Sequence, residues 1–334
     1  MTALFDPARP LAMLAACPAY AASPLVEAAW QKHPVWVKDE TARMGLGAFK
    51  ALGGVYAVAR VVAELVGDVA PEAMQTPEVA AVAQDIVFVC ASAGNHGMSV
   101  AAGARLFGAR ARIYLAETVP EGFAARLAAK GAEVVREGAD YEESVGAAIA
   151  DADRTGAIHI ADGSWEGYTH LPRLIMEGYT VIAEECRDTF RARGRWPDRV
   201  YLQAGVGGLA AAMAERIRAD WDVQPEIVVV EPEAAPCLKA SVAAGRIVTV
   251  EGPVSEMGRL DCKTASLLAY EVLRECADRF VAVSEDEAAE AVAAARDMGF
   301  GTTPSGAAGL AALMGEVQGA NAPMVILSEG TGDG

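Results

Sequence analysis

Short, nearly continuous apolar runs alternate with alanine-rich helical patterns along this chain, and that alternation restricts its fold more than any other feature. The runs Ile86–Cys90, Ala111–Leu115, Glu133–Val135, Ile158–Ala161, Val200–Ala204, Ile227–Glu231 and Met324–Ser328 have the length and β-branched content of strands. Between them, Ser99–Phe107, Gly122–Ala129, Tyr141–Ala152 and Leu209–Ala219 read as helices. A strand apolar on both sides needs cover on both sides, which crossover helices of a parallel sheet provide. The expectation is an α/β protein with mostly parallel sheets and helices on both faces.

Composition narrows the partners. With 334 residues, 53% of them hydrophobic, the chain can bury a large core and is expected to form two lobes. The polar stretch Gly194-Arg195-Trp196-Pro197-Asp198 is a candidate crossing between them. A net charge of −17, without a basic cluster, argues against nucleic acid and anionic membrane as partners. The cysteines at 17, 90, 186, 237, 262 and 276 lack metal-ligand spacing, and several sit in apolar stretches, as expected of reduced thiols in a cytoplasmic protein. Leu11–Ala16 could pass for a signal-peptide core, but Asp6 balances Arg9 and Pro18 interrupts the segment, so it reads as mature protein. No apolar run reaches the roughly 18 residues of a membrane span.

Lys50 is the main chemical candidate. It follows the glycine-rich turn Gly45-Leu46-Gly47-Ala48-Phe49 and opens a helical pattern through Leu52, Tyr56, Ala59, Val62 and Ala63. The positive end of the helix dipole and desolvation both disfavour its charge, so a neutral amine suited to Schiff-base chemistry is expected. Ser92-Ala93-Gly94-Asn95-His96-Gly97 forms a strand-to-helix turn whose exposed amides suit a carboxylate. Gly205-Val206-Gly207-Gly208-Leu209 is a second such turn, suited to a phosphate. The latter also fits a dinucleotide fingerprint, with Glu231 where a ribose-binding acid would stand, so an NAD-binding oxidoreductase is a rival reading. Ser328, at a strand end, could meet a ring nitrogen, with Thr331 as an alternative. Asp162, also after a strand, could pair with a cationic substrate group or shuttle a proton. Trp165 and Tyr168 are expected to wall the site.

The ordered set Lys38-Asp39-Glu40, Gly47-Ala48-Phe49-Lys50, Ser92–Gly97 and Gly205–Gly208 resembles the fold type II family of pyridoxal-phosphate enzymes. Cys17–Leu25, Lys50-Ala51-Leu52-Gly53-Gly54 and Asp162-Gly163-Ser164-Trp165-Glu166-Gly167-Tyr168 make it most similar to the diaminopropionate ammonia-lyase branch, over about residues 15 to 331. The resemblance implies a tryptophan synthase β-like fold of two open, twisted, mostly parallel sheets. Residues 1–83 and 191–334 would form a large cofactor-binding domain, and 84–190 a smaller one. It further implies a homodimer acting on a small amino acid.

By the same resemblance, Lys50 holds the cofactor and moves the α-proton. Asn95 meets the phenolic oxygen, Gly205, Val206, Gly207, Gly208 and Leu209 hold the phosphate, and Ser328 faces the pyridine nitrogen. Ser92, Ala93, Gly94, Asn95 and His96 would receive the substrate carboxylate, with Asp162 and Tyr168 beside it. One departure stands out: Ala93 replaces an aspartate typical of the branch, which would serve the D-isomer. The implied reaction is α,β-elimination on L-2,3-diaminopropionate, giving pyruvate and ammonia. An L-serine, L-threonine or 3-hydroxyaspartate-type dehydratase is the alternative.

Overall fold

The computed structural model describes residues 4–67, 69–316 and 321–332. Among these residues, ten strands form two sheets. The larger has six, β1 (Leu25–Trp30), β2 (His33–Asp39), β7 (Arg199–Gln203), β8 (Glu226–Pro232), β9 (Arg279–Val283) and β10 (Met324–Leu327), in the order β1-β2-β10-β7-β8-β9. All its pairings are parallel except the β1–β2 hairpin. The smaller sheet is wholly parallel, in the order β5-β4-β3-β6, from β3 (Val87–Ala91), β4 (Arg110–Leu115), β5 (Glu133–Arg136) and β6 (Ile158–His159). Two mostly parallel sheets are what the apolar runs imply, and every strand expected from the sequence is present within two residues at either end.

Three strands escaped that reading. The β1–β2 hairpin turns through Gln31 and Lys32, both at positive φ (47° and 74°), where asparagine and glycine usually sit. Its local signal is therefore missing. Strand β9, Arg279-Phe280-Val281-Ala282-Val283, lies at the sheet edge and is apolar in four of its five residues, so the pattern was there to be read.

The helices are α1 (Ala8–Ala15), α2 (Lys50–Val66), α3 (Pro77–Ala83), α4 (Asn95–Leu106), α5 (Glu121–Ala129) and α6 (Tyr141–Thr155) in the first half. The second half has α7 (His170–Arg193), α8 (Gly208–Asp220), α9 (Cys237–Ala244), α10 (Leu267–Cys276), α11 (Glu285–Asp297) and α12 (Pro304–Gly315). Among the described residues, no helix is long and apolar enough to cross a membrane.

Helix α2 carries Lys50 at its first position and packs against both α4 and α7. Close approach requires small residues on each side. A Cβ on Gly178 of α7 would lie 2.7 Å from the Gly53 Cα and 2.7 Å from the Leu52 carbonyl oxygen, both backbone atoms that cannot swing aside. Gly178→Ala should therefore push α7 off α2 and lower stability by about 1–3 kcal/mol, read as a fall in the urea unfolding midpoint.

Behind the Lys50 loop lies a buried ion cluster. Lys38 Nζ meets Glu185 Oε2 at 2.5 Å, and the Arg43 guanidinium bridges Glu40 and Glu185 at 2.7 Å each. All four side chains are at most 6% exposed. The cluster joins β2 and its following loop to α7, so the Lys38-Asp39-Glu40 sequence has a structural use: it fixes the segment that delivers Lys50.

Candidate active site

Each site segment leaves the carboxyl end of a parallel strand: the Lys50 loop after β2, Ser92 after β3, Asp162 after β6, Gly205 after β7 and Ser328 after β10. Crevices of open α/β sheets lie outside those ends. The fold thus gathers groups from both sheets around one cleft.

Lys50 Nζ donates to Asp162 Oδ2 at 2.5 Å, across 112 positions of sequence. Both side chains are partly open to the cleft, at 18% and 24% exposure. This overturns the expectation of a neutral amine in the ligand-free site. Burial does lower the Lys50 pKa, but the facing Asp162 carboxylate outweighs it and raises the amine above its ordinary value. Burial likewise pushes the Asp162 carboxyl up, while Lys50 holds it well below the usual carboxylate range. A direct ion pair beats the helix dipole because the full opposite charge sits at contact distance, whereas the dipole end amounts to about half a charge. The ammonium also lies 5.2 Å from the Phe49 ring centroid and 6.0 Å from that of Tyr179.

The Ser92 turn differs from expectation at one point. Helix α4 begins at Asn95, four residues earlier than the periodicity implied, so Asn95 and His96 belong to its first turn. Ser92 Oγ accepts from the N–H groups of Gly94 (3.2 Å) and Gly97 (3.1 Å), shaping the turn and leaving its O–H free to donate. His96 is buried, with Nε2 2.8 Å from the Ile160 carbonyl oxygen, and desolvation lowers its pKa. Its ring packs beneath the turn, with Nδ1 buried and unpartnered among the described residues. Ala93 presents no functional group there.

At the other turn, Gly207 adopts φ 101° and caps α8. Any Cβ there would be strained and would sit 2.9 Å from both Leu238 and Ala269. Among the described residues, the N–H groups of Gly207, Gly208 and Leu209 meet no protein acceptor, and Gly205 packs against Cys262 and Arg259. Glu231 cannot serve as the ribose acid of a dinucleotide site. It is fully buried, and its carboxyl oxygens accept the N–H groups of Leu238 (2.7 Å) and Lys239 (2.8 Å) at the start of α9. Desolvation raises its pKa to about 7. The NAD reading loses its second anchor.

Ser328 lies immediately beyond β10 and is 4% exposed, with its hydroxyl unpartnered by protein among the described residues. Its carbonyl accepts the Phe49 N–H at 3.1 Å, which brings it beside the Lys50 loop. Tyr168 departs from expectation: its hydroxyl donates to the His159 carbonyl (2.8 Å) and accepts from the Ala161 N–H (3.0 Å). It therefore pins the strand end before Asp162 and has no free group for substrate. Trp165 stacks on it at 4.4 Å and is 43% exposed.

Sequence reasoning missed Tyr179, Arg259 and Glu329. Tyr179 packs edge-on against Phe49, and its buried hydroxyl stands near Lys50, whose charge counters the upward push of burial on the phenol. Arg259 lies in the irregular stretch before α10, with its guanidinium 3.3 Å from where a Gly94 Cβ would be. Glu329 receives the Asn95 side-chain amide. Only Glu329, adjacent to Ser328, stood within reach of a sequence argument.

A family model described as pyridoxal-phosphate dependent enzyme matches residues 17–330. The chain belongs to that family. Diaminopropionate ammonia-lyase of Escherichia coli strain K12 is 32% identical over 261 residues, covering 76% of this chain and 65% of that protein. The matched region thus spans just under two thirds of that relative. L-Threonine ammonia-lyase of Thermotoga maritima is 29% identical, covering 61% of this chain and 48% of that one. Among solved structures, holo diaminopropionate ammonia lyase from Escherichia coli superposes with a TM-score of 0.88 at 27% identity, covering 100% of this chain and 91% of the other. The fold is therefore fold type II, and the cofactor is pyridoxal phosphate.

The residues present fit that cofactor. The unpartnered amides at the α8 N-terminus suit its phosphate and the Lys50 amine its aldehyde, and the Tyr179 ring stands beside that amine.

Proposed function

We propose that the protein is an ammonia-lyase that removes the β-substituent of a small amino acid, with L-2,3-diaminopropionate as the leading substrate. The observation that carries this reading is the Asp162 carboxylate beside the Lys50 amine. A carboxylate at that place attracts a substrate that bears a second ammonium group, which serine and threonine lack. Lys50 and the turn Gly205–Leu209 would hold the cofactor, with Asn95 serving its phenolic oxygen and Ser328 its ring nitrogen. The cofactor supplies an electron sink for negative charge at Cα.

This chain's residues provide the rest. The N–H groups of Asn95 and His96 and the Ser92 hydroxyl receive the α-carboxylate. Lys50 must first give up its ammonium proton to solvent as the substrate's second ammonium takes over Asp162; as the neutral amine it takes the α-proton at Nζ. Asp162 holds the β-ammonium and stabilises it as it departs. Since Ala93 offers no second base, proton removal comes from one face only, which supports L-specificity.

The division into 1–83 with 191–334 and 84–190 belongs to the same proposal. It is supported by the smaller sheet falling wholly inside 84–190, although α7 packs against α2 and α8. A cytoplasmic homodimer is also proposed, on the family resemblance and the buried thiols.

A dehydratase for L-serine, L-threonine or 3-hydroxyaspartate is favoured by Ala93 alone. Keto-acid release from L- and D-2,3-diaminopropionate, L-serine, L-threonine and 3-hydroxyaspartate decides the matter. The expected result is the highest kcat/KM on L-diaminopropionate. Faster turnover of a hydroxy substrate would replace the reading, and strong D-isomer turnover would refute the role given to Ala93.

A further inference from the structure

Glu329 stands at a junction of three cleft segments, and nothing above gives it a task. Its carboxylate accepts from the Asn95 side-chain amide on one oxygen and from Thr303 Oγ1 at 2.6 Å on the other. Arg259 Nε stands 3.7 Å away as its counter-charge, and the side chain is only 10% exposed. The backbone around it is equally engaged. Ala48, two residues before Lys50, pairs with Glu329 in an antiparallel bridge, and Gly330 N–H donates to the Gly47 carbonyl at 2.9 Å. Thr302 Oγ1 donates to the Glu329 carbonyl. One residue therefore ties the lysine loop to the first turn of α4 on the opposite sheet.

The chemistry of the pair has a direction. An asparagine side chain ends in one acceptor oxygen and an amide nitrogen with two hydrogens. A carboxylate accepts only, so it selects the nitrogen end and would repel the oxygen if the amide turned over. With one hydrogen taken by Glu329, the second is left for another acceptor.

We infer that Glu329 is a positioning residue that orients the Asn95 amide, so that its remaining N–H serves the cofactor's phenolic oxygen. The inference rests on the role proposed above for Asn95. Thr303 and Arg259 complete the arrangement by satisfying the carboxylate's other oxygen and its charge. A buried carboxylate without them would be costly.

The test is a double-mutant cycle on the cofactor-loaded protein: wild type, Asn95→Ala, Glu329→Ala and the double variant. Two quantities are read: the pyridoxal-phosphate dissociation constant, and the pH midpoint of the visible absorbance. Glu329→Ala and Asn95→Ala should each weaken cofactor binding about tenfold, the scale of one charge-assisted hydrogen bond. They should move the midpoint in the same direction. In the double variant, the second substitution should add less than about twofold. Effects that multiply, or a Glu329→Ala midpoint equal to wild type, overturn the inference while leaving the Asn95 role intact. An Asn95→Ala protein identical to wild type overturns the Asn95 role itself. If circular dichroism shows Glu329→Ala unfolded, Glu329→Met enters the same cycle under the same criterion, since it keeps the length of the side chain but offers the Asn95 amide no oxygen acceptor.

Discussion

Lys50→Ala abolishes the visible absorbance of the cofactor-loaded protein and lowers keto-acid release by at least roughly a thousandfold. Both roles proposed for Lys50, the covalent attachment and the base, would vanish together, so added primary amines should restore little of the rate. The ligand-free variant carries a second signature. In the wild type, the depressed Asp162 carboxyl contributes stability at pH values above its ordinary pKa, and that contribution is lost as pH falls through the lower folded value. Removing Lys50 leaves desolvation as the main influence, so the carboxyl pKa moves up and ionised Asp162 becomes a liability. The variant is therefore destabilised relative to wild type at neutral pH, and the gap narrows in acid. Urea unfolding at pH 7 and pH 4 measures this; a gap that does not depend on pH contradicts the pairing.

Asp162→Asn lowers turnover of L-diaminopropionate by roughly a hundredfold and that of L-serine by less than about tenfold. The difference arises because the carboxylate faces a cationic leaving group in one substrate and a neutral hydroxyl in the other. Equal losses on both would mean that Asp162 acts only through Lys50, whose raised pKa depends on it. The pH profile separates these cases further. Without the carboxylate, burial is left to lower the Lys50 pKa, so the ligand-free amine deprotonates at lower pH than in the wild type.

Much of this was legible in the residues. The apolar runs placed seven of the ten strands because strands buried on both faces carry no polar interruption. Lys50 fell at the first position of its helix, as the spacing required. The glycine turns at 92–97 and 205–208 stand at strand ends, because anion-binding amides need close backbone approach. Other features were not legible for equally physical reasons. The β1–β2 turn uses residues that seldom take positive φ, so local chemistry did not announce it. Tyr168 and His96 looked like cleft residues, yet the Tyr168 hydroxyl and His96 Nε2 meet backbone carbonyls that only packing brings near.

The line between the two kinds of knowledge follows interaction range. Periodicity, helix starts and glycine turns are set within a few residues, so the order of amino acids determined the α/β architecture, the lysine at a helix mouth and the glycine turns at strand ends. Charge states and hydrogen-bond partners depend on groups far apart along the chain. Asp162 reaches Lys50 across 112 positions, and Glu329 reaches Asn95 across 234. Tertiary structure alone decided that the amine rests as an ion pair, that Glu231 is spent on a helix end and that Glu329 joins the two sides of the cleft. Coulomb energy and hydrogen bonding depend on separation in space, and folding sets that separation.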